Sequence, residues 1–368
     1  MKYVNYGKTG LKVSRFGLGC MRFPDNEAEA IEMVRYALDH GVNYIDTAYV
    51  YQGSENITGK SLKDGYRNKT YLATKSPIWN ITTYNDFEKY LDEQLKRLQT
   101  DYIDVYLLHN LGFDNWQKVK RFDGLTFLDK MVKKGKIRHT AFSYHGPLEL
   151  FKEVTESYDW EMAQIQLNIL DEFYQVGTQG LKYLAEKGIA AVIMEPLKGG
   201  SIVNQYPPEV KGILSNYPEK RTLVEWCFRW LYNMPEVSVV ISGTSTLAQL
   251  KENLDIFHKA ECNVMTTEDL NLINRIREAF EKKKGIDCTG CSYCMPCPKN
   301  VNIPEIFKLY NSVSMTDSFI DGWTYKSSII SSGAGADQCI NCGLCMTYCP
   351  QNIVIPENLK KAHSLLLK

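Results

Sequence analysis

Two sets of residues in this chain have the types and spacing to do chemistry, and they lie far apart. The first is cysteine. Eight of the eleven cysteines fall into two groups, Cys288, Cys291, Cys294 and Cys297 in CTGCSYCMPCP, and Cys339, Cys342, Cys345 and Cys349 in CINCGLCMTYCP. Thiols two residues apart suit metal ligation better than pairwise bridging. Zinc also uses C-x2-C pairs, but two runs of four, each closed by Cys-Pro, fit iron–sulfur ligation better. Cys20, Cys227 and Cys262 are scattered and read as small apolar filler.

The second set consists of polar residues at the ends of apolar runs. Asp46 closes NYIDTA, Tyr51 follows in DTAYVY, Lys75 closes YLATK, and His109 closes DYIDVYLLH. A phenol titrates near ~10 and is a weak acid at neutral pH. An adjacent ammonium stabilises the phenolate and lowers that value, while a carboxylate keeps the ammonium charged and in place. A neutral imidazole beside them donates to a carbonyl oxygen as negative charge grows there. Together the four would protonate an alkoxide formed by hydride addition.

Such a set works only if the elements bring it together. Eight short β-rich runs (RFGLG, NYIDTA, TYLATK, DYIDVYLLH, IRHTAFS, MAQIQLN, IAAVIMEP, VSVVISG) are each followed by a segment of helical period. A pair of short strands around Gly7-Lys-Thr-Gly10 precedes them. Residues 27–39 place Ala30, Ile31, Val34 and Leu38 on one face, and residues 86–98 do so with Phe87, Tyr90, Leu91, Leu95 and Leu98. The expected fold class is therefore α/β, a (β/α)8 TIM barrel whose strand C-termini converge on one site. An open three-layer sheet also alternates in this way. Gly17-Leu-Gly19 lacks the third glycine of a dinucleotide fingerprint and marks the end of the first barrel strand.

A helix over 267–283 ends the first domain, expected at 1–284, and the second spans 285–368. The tail contains a repeat: Cys297-Pro-Lys-Asn-Val-Asn-Ile-Pro-Glu305 recurs as Cys349-Pro-Gln-Asn-Ile-Val-Ile-Pro-Glu357. With 44% hydrophobic and 23% charged residues and a formal net charge of zero, the chain reads as globular and gives no electrostatic case for nucleic acid or an anionic membrane. Its N-terminus lacks the apolar core of a signal peptide, and its longest apolar runs, such as Gly188–Met194, are strand-sized. The expected location is cytoplasmic.

The cysteine groups resemble bacterial two-cluster ferredoxins, which implies a small α+β ferredoxin-like domain holding two [4Fe–4S] clusters. In that pattern three thiolates wrap one cubane and the fourth, before proline, reaches the other. The resemblance assigns Cys288, Cys291, Cys294 and Cys349 to one cluster, and Cys339, Cys342, Cys345 and Cys297 to the second. The first group departs in having two residues rather than three before Cys297.

Residues 1–260 resemble the aldo/keto reductase superfamily, from YGKTGLKVSRFGLG through DTAYVY, LATK and LLH to ISGTSTLAQLKENL. The resemblance implies an enzyme that reduces the carbonyl of a small molecule, or runs the reverse, with NADP or NAD and with Asp46, Tyr51, Lys75 and His109 as catalytic residues. It matches Ser143 and Gln164 to the carboxamide-binding positions, Gly243, Thr244 and Ser245 to the adenosine-phosphate site, and Asn253 to the adenine contact. Three departures from the pattern stand out. Tyr144 stands where many members have asparagine, Met194 where many stack a tyrosine on the nicotinamide, and Gly243 and Gln249 where NADP-preferring members carry lysine and arginine. Lys251 and Lys198 are the nearby substitutes. Trp79, Tyr49 and Trp116 are expected in loops on the active face.

Two other functions stay open at this level. One is an iron–sulfur electron-transfer oxidoreductase of anaerobic metabolism, with a redox protein partner. The other is a nucleotide-binding redox sensor without turnover. For the reductase, the clusters serve electron transfer, structure or redox sensing.

Overall fold

The computed structural model describes every residue except Gln205, Thr289, Cys291 and Pro350. The chain forms two compact units, one of residues 1–196 and 225–266, the other of residues 197–224 and 267–368.

The first unit is a closed barrel. After the hairpin of β1 (Tyr3–Asn5) and β2 (Lys12–Ser14) come β3 (Phe16–Gly19), β4 (Tyr44–Asp46), β5 (Tyr71–Ser76), β6 (Ile103–Leu108), β7 (Ile137–Tyr144), β8 (Met162–Gln166), β9 (Ala190–Met194) and β10 (Val237–Gly243). The eight strands β3 to β10 pair in parallel around the ring and close β10 on β3. Each of the eight predicted runs coincides with an observed strand, β5 and β7 running one residue further than expected, and the barrel replaces the open-sheet alternative.

Strand alternation sorts side chains to two faces. Tyr44, Ala73, Val105, Leu107, Ala141, Met162, Ala190, Val192, Val239 and Ile241 fill the barrel, and Tyr6 and Val13 of the hairpin join that core. Continuing the alternation to the strand C-termini aims Asp46, Lys75, Ser143, Gln164 and Met194 into the same lumen. Gly17 is small by necessity, since a Cβ there would lie 2.8 Å from Val239 Cγ1 and 3.1 Å from Tyr44.

The helices follow the expected faces. Glu27–Asp39 buries Ala30, Met33, Val34, Ala37 and Leu38, with Asn26 capping its first turn. Tyr84–Leu98 buries Phe87, Leu91, Leu98 and a polar residue, Gln94, that apolar periodicity does not reveal.

In the second unit the described elements are helices joined by irregular cysteine loops, where a mixture with strands was expected. The sequence repeat explains part of this. Each copy ends in Ile-Pro-Glu, and each places proline in the first turn of a helix, Ile303–Thr316 and Ile355–Leu366. The two helices pack on each other around Val301, Ile306, Phe307, Leu359 and Ala362. Among the described residues no helix is long and apolar enough to cross a membrane.

Candidate active site and cysteine cages

Lys75 is 1% exposed, and its Nζ lies 2.6 Å from Asp46 Oδ1 and 2.8 Å from the Thr47 carbonyl oxygen. A lysine can be this deeply buried only because both groups replace its water shell. The same ammonium sits 5.0 Å from the centre of the Tyr51 ring. Tyr51 meets His109 edge to face at 6.3 Å, and Trp79 covers the other side of His109 at 5.2 Å. The four residues chosen from strand ends therefore converge. Tyr51 reaches them from a tight turn, closed by Tyr51 N–H donating to Ala48 O, before the helix Ser54–Ser61.

The electrostatics follow from burial. Burial alone would lower the Lys75 ammonium, but Asp46 and Tyr51 outweigh it and hold it above the ordinary lysine value. Burial raises the Asp46 carboxyl, against the pull of Lys75. Tyr51 differs from the expectation: Lys75 does pull its phenol down, yet burial pushes harder, and the net direction is up. At neutral pH the phenol keeps its proton. Burial, then Lys75 and His145, push His109 well below the usual histidine range, so its imidazole is neutral.

A second layer holds these groups. Glu55 Oε1 accepts from Thr74 Oγ1 and from Gln94 Nε2, both at 2.7 Å, and Arg97 pairs with Glu55 Oε2 at 3.2 Å. Gln94 also donates to the Lys75 carbonyl oxygen at 3.1 Å and accepts from Tyr106 at 2.8 Å. Tyr49 lies in the loop after β4, as expected, under the Arg97 guanidinium, whereas Trp116 is buried in the helix Phe113–Arg121 and donates to Glu153.

At the proposed nucleotide positions, Ser143 and Gln164 are register partners on β7 and β8. Ser143 Oγ accepts from Asn110 N–H at 2.8 Å, and Gln164 Nε2 lies 3.8 Å from Met194 Sδ. Gln164 Oε1, Asp46 Oδ2 and His109 Nδ1 are buried without a hydrogen-bond partner, the condition of groups awaiting a ligand. Tyr144 points to the other face of β7, packs on Phe151 and donates to Pro147 O, so it does not enter the lumen. Beyond β10, Thr246 caps the helix Leu247–Phe257, and Gln249 Oε1 accepts from Ser245 N–H at 3.0 Å. Thr244 is buried with its hydroxyl unpartnered, Gly243 is exposed, and Asn253 donates to Ser242 Oγ at 3.3 Å. The start of a capped helix is suited to a phosphate. Of the two substitute lysines, Lys251 lies over the Tyr36 ring and Lys198 is buried against Asp321.

In the second unit Cys294, Cys297, Cys339, Cys342 and Cys345 border a cavity of about 390 Å³. Burial, then Cys339, Cys342 and Cys297, push the Cys345 thiol up. A second hollow is bordered by Cys288, Cys294 and Cys349, while Cys291 lies outside the described residues. Cys349 thus lies beside Cys288 and Cys294, Cys297 lies beside Cys339, Cys342 and Cys345, and Cys294 borders both hollows. Among the described residues no three His, Cys, Asp or Glu side chains converge as for a single ion. The described thiols border hollows, and a cubane occupies such a volume.

Residues 15–278 match the aldo/keto reductase family. The chain belongs to that family. Residues 287–354 match a 4Fe-4S dicluster domain, so this aldo/keto reductase carries a C-terminal iron–sulfur module. It is 28% identical over 298 residues to an L-galactose dehydrogenase of Arabidopsis thaliana, covering 74% of this chain and 93% of the other. It is 29% identical over 281 residues to a glyoxal reductase of Bacillus subtilis, covering 73% and 91%. A solved aldo-keto reductase of Bacillus halodurans, AKR11C1, superposes with a TM-score of 0.63 at 26% identity, covering 75% of this chain and 96% of that one. The protein is thus an oxidoreductase of the aldo/keto reductase type, a family that binds NAD(P).

Sequence reasoning missed four residues around this reductase site. Glu55 and Gln94 carried no visible signal, because their partners come from separate elements. His145 follows Tyr144 directly; burial lowers its imidazole to about 4. Glu195 follows Met194, adopts a left-handed φ of 56°, and its carboxylate contributes to raising Tyr51.

Proposed function

We propose that this protein reduces an aldehyde or ketone to an alcohol with NAD(P)H, using Tyr51 as the general acid. The observation that carries this reading is the buried Asp46–Lys75 pair against the Tyr51 ring. A bound nicotinamide supplies the hydride. Tyr51 and His109 hydrogen-bond the carbonyl oxygen, polarising it before transfer. As charge builds on that oxygen, Tyr51 gives up its proton, and Lys75 stabilises the phenolate left behind. Asp46 holds Lys75 charged throughout. Burial keeps Tyr51 protonated at rest, the state from which it can donate to the oxygen.

Ser143 and Gln164 are the carboxamide contacts in this reading. Thr244, Ser245 and Asn253, with the exposed backbone at Gly243, receive the adenosine phosphate, and Gln249 braces that loop. Cys288, Cys291, Cys294 and Cys349 hold one [4Fe–4S] cluster, and Cys297, Cys339, Cys342 and Cys345 the other. Hydride transfer moves two electrons together and each cluster takes one, so the carbonyl reaction runs without current through the clusters.

The test is a panel of aldehydes and ketones offered with NADH and NADPH to anaerobically purified protein. Carbonyl-dependent oxidation of the nucleotide is expected. Tight nucleotide binding with no turnover on any carbonyl would overturn the reading in favour of a sensor.

A further inference from the structure

Tyr51 stands on the least supported stretch of the reductase site. Its neighbours Val50, Gln52 and Gly53 are exposed, and Gly53 takes a left-handed φ of 73° as the chain enters the helix Ser54–Ser61. Lys75, by contrast, is fixed in β5 between paired strands. Attraction between a phenolate and an ammonium falls as they separate. The strength of the acid therefore depends on what ties that turn to that strand. The direct backbone tie, Tyr49 N–H to Lys75 O, is long at 3.4 Å. The hydroxyls of Thr47 and Ser54 also close the turn, at 2.8 Å, but Ser54 Oγ goes on to Cys20 O and not to β5.

Glu55, four residues after Tyr51, supplies the firmer connection. It is 2% exposed in the first turn of its helix. Its Oε1 accepts from Thr74 Oγ1 at 2.7 Å, beside Lys75 on β5 but on the opposite face of the strand. The same oxygen accepts at 2.7 Å from Gln94 Nε2, which also donates to Lys75 O at 3.1 Å. Glu55 Oε2 meets Arg97 Nη1 at 3.2 Å, and that nitrogen reaches Tyr49 O at 3.4 Å. One carboxylate thus joins both flanks of Tyr51 to the stretch of β5 that carries Lys75. Hydrogen bonds to a charged acceptor are the strong ones, and a buried carboxylate stays where its donors are.

We infer that Glu55 is a positioning residue for the general acid: it sets the separation of Tyr51 from Lys75, and through that separation the rate of proton delivery. This rests on the reading of Tyr51 as the proton donor. Glu55 itself touches neither substrate nor nucleotide.

The experiment uses the full-length, anaerobically purified protein. Steady-state carbonyl reduction gives kcat, and calorimetry gives the dissociation constant of the nucleotide that turns over. Glu55→Gln keeps the shape of the side chain and removes its charge. Its kcat should fall about ten- to hundred-fold, as for a small misplacement of a reacting group, with nucleotide affinity within about two-fold of wild type. Added to Tyr51→Phe, the same substitution should cost less than about two-fold in kcat, because the group it positions is already gone. Thr74→Val removes one of the donors to Glu55 and leaves Gln94 and Arg97, and should lower kcat about two- to ten-fold. That variant decides the matter if Glu55→Gln does not fold. Wild-type kcat in the deciding variant, nucleotide affinity falling in step with kcat, or an equal loss with and without Tyr51→Phe would overturn the inference and leave the reductase reading intact. Undiminished turnover in Tyr51→Phe alone would instead overturn the reading, and the inference with it.

Discussion

At the scale of residues, the site is a contest between burial and charge. Asp46, Lys75, Tyr51 and His109 were legible because polar groups at the ends of apolar strands are conspicuous. The resting state of Tyr51 was not legible, since Lys75 shows in the sequence and the burial that outweighs it does not. Tyr144 was read as a departure in the site, but strand alternation turns it away from the lumen. Burial also pushes His109 and His145 below the usual histidine value of ~6.5. The sign is definite: below pH ~6.5 the unfolded imidazoles take up protons that the folded ones refuse, so stability is present above that pH and lost as pH falls. His145, which titrates at about 4 when folded, contributes a slope approaching ~1.4 kcal/mol per pH unit between those values. Denaturant unfolding followed by tryptophan fluorescence from pH 7 to 5 should show this loss, and His145→Asn should flatten it.

Elements were read more securely than their partners. Eight strands and the faces of the helices followed from periodicity, because each strand and helix announces its buried side. What a helix packs against is a tertiary fact, so the Glu55–Gln94–Arg97 brace behind Lys75 stayed hidden. The tail repeat was visible, yet its copies were read as part of a mixed α+β unit, whereas each proline opens a helix. The Gly17-Leu-Gly19 motif was correctly set aside as a nucleotide fingerprint, and packing supplies its purpose. Gly17 leaves room for Val239, Tyr44 and Ile241 inside the barrel. Gly17→Ala should therefore lower the unfolding free energy by roughly 1–3 kcal/mol, measured by denaturant titration. An unchanged midpoint would mean that the lumen there is loosely packed.

For the whole molecule, the sequence showed two chemistries on one chain and left their relation open. The fold adds a grouping no motif carries: residues 197–224, although they lie between two barrel strands, cluster with residues 267–368, which include the helix Thr267–Glu281. Composition cannot reveal this, because it is a matter of packing, as where the helix Pro208–Ser215 lies on the helix Thr267–Glu281. If the carbonyl reaction runs by hydride transfer alone, electrons need not enter the clusters. Anaerobic protein mixed with NADPH, with and without carbonyl substrate, should therefore keep the broad visible absorption of its oxidised clusters. Bleaching would show electrons entering them and would favour the electron-transfer alternative.

The proton donor is the centre of the account, and one substitution isolates it. Tyr51→Phe keeps the ring against Lys75 and His109 while removing the acidic proton. Measured beside wild type, carbonyl reduction should fall about 10²- to 10⁴-fold in kcat while NAD(P)H still binds. Turnover at the wild-type rate in Tyr51→Phe would contradict the account.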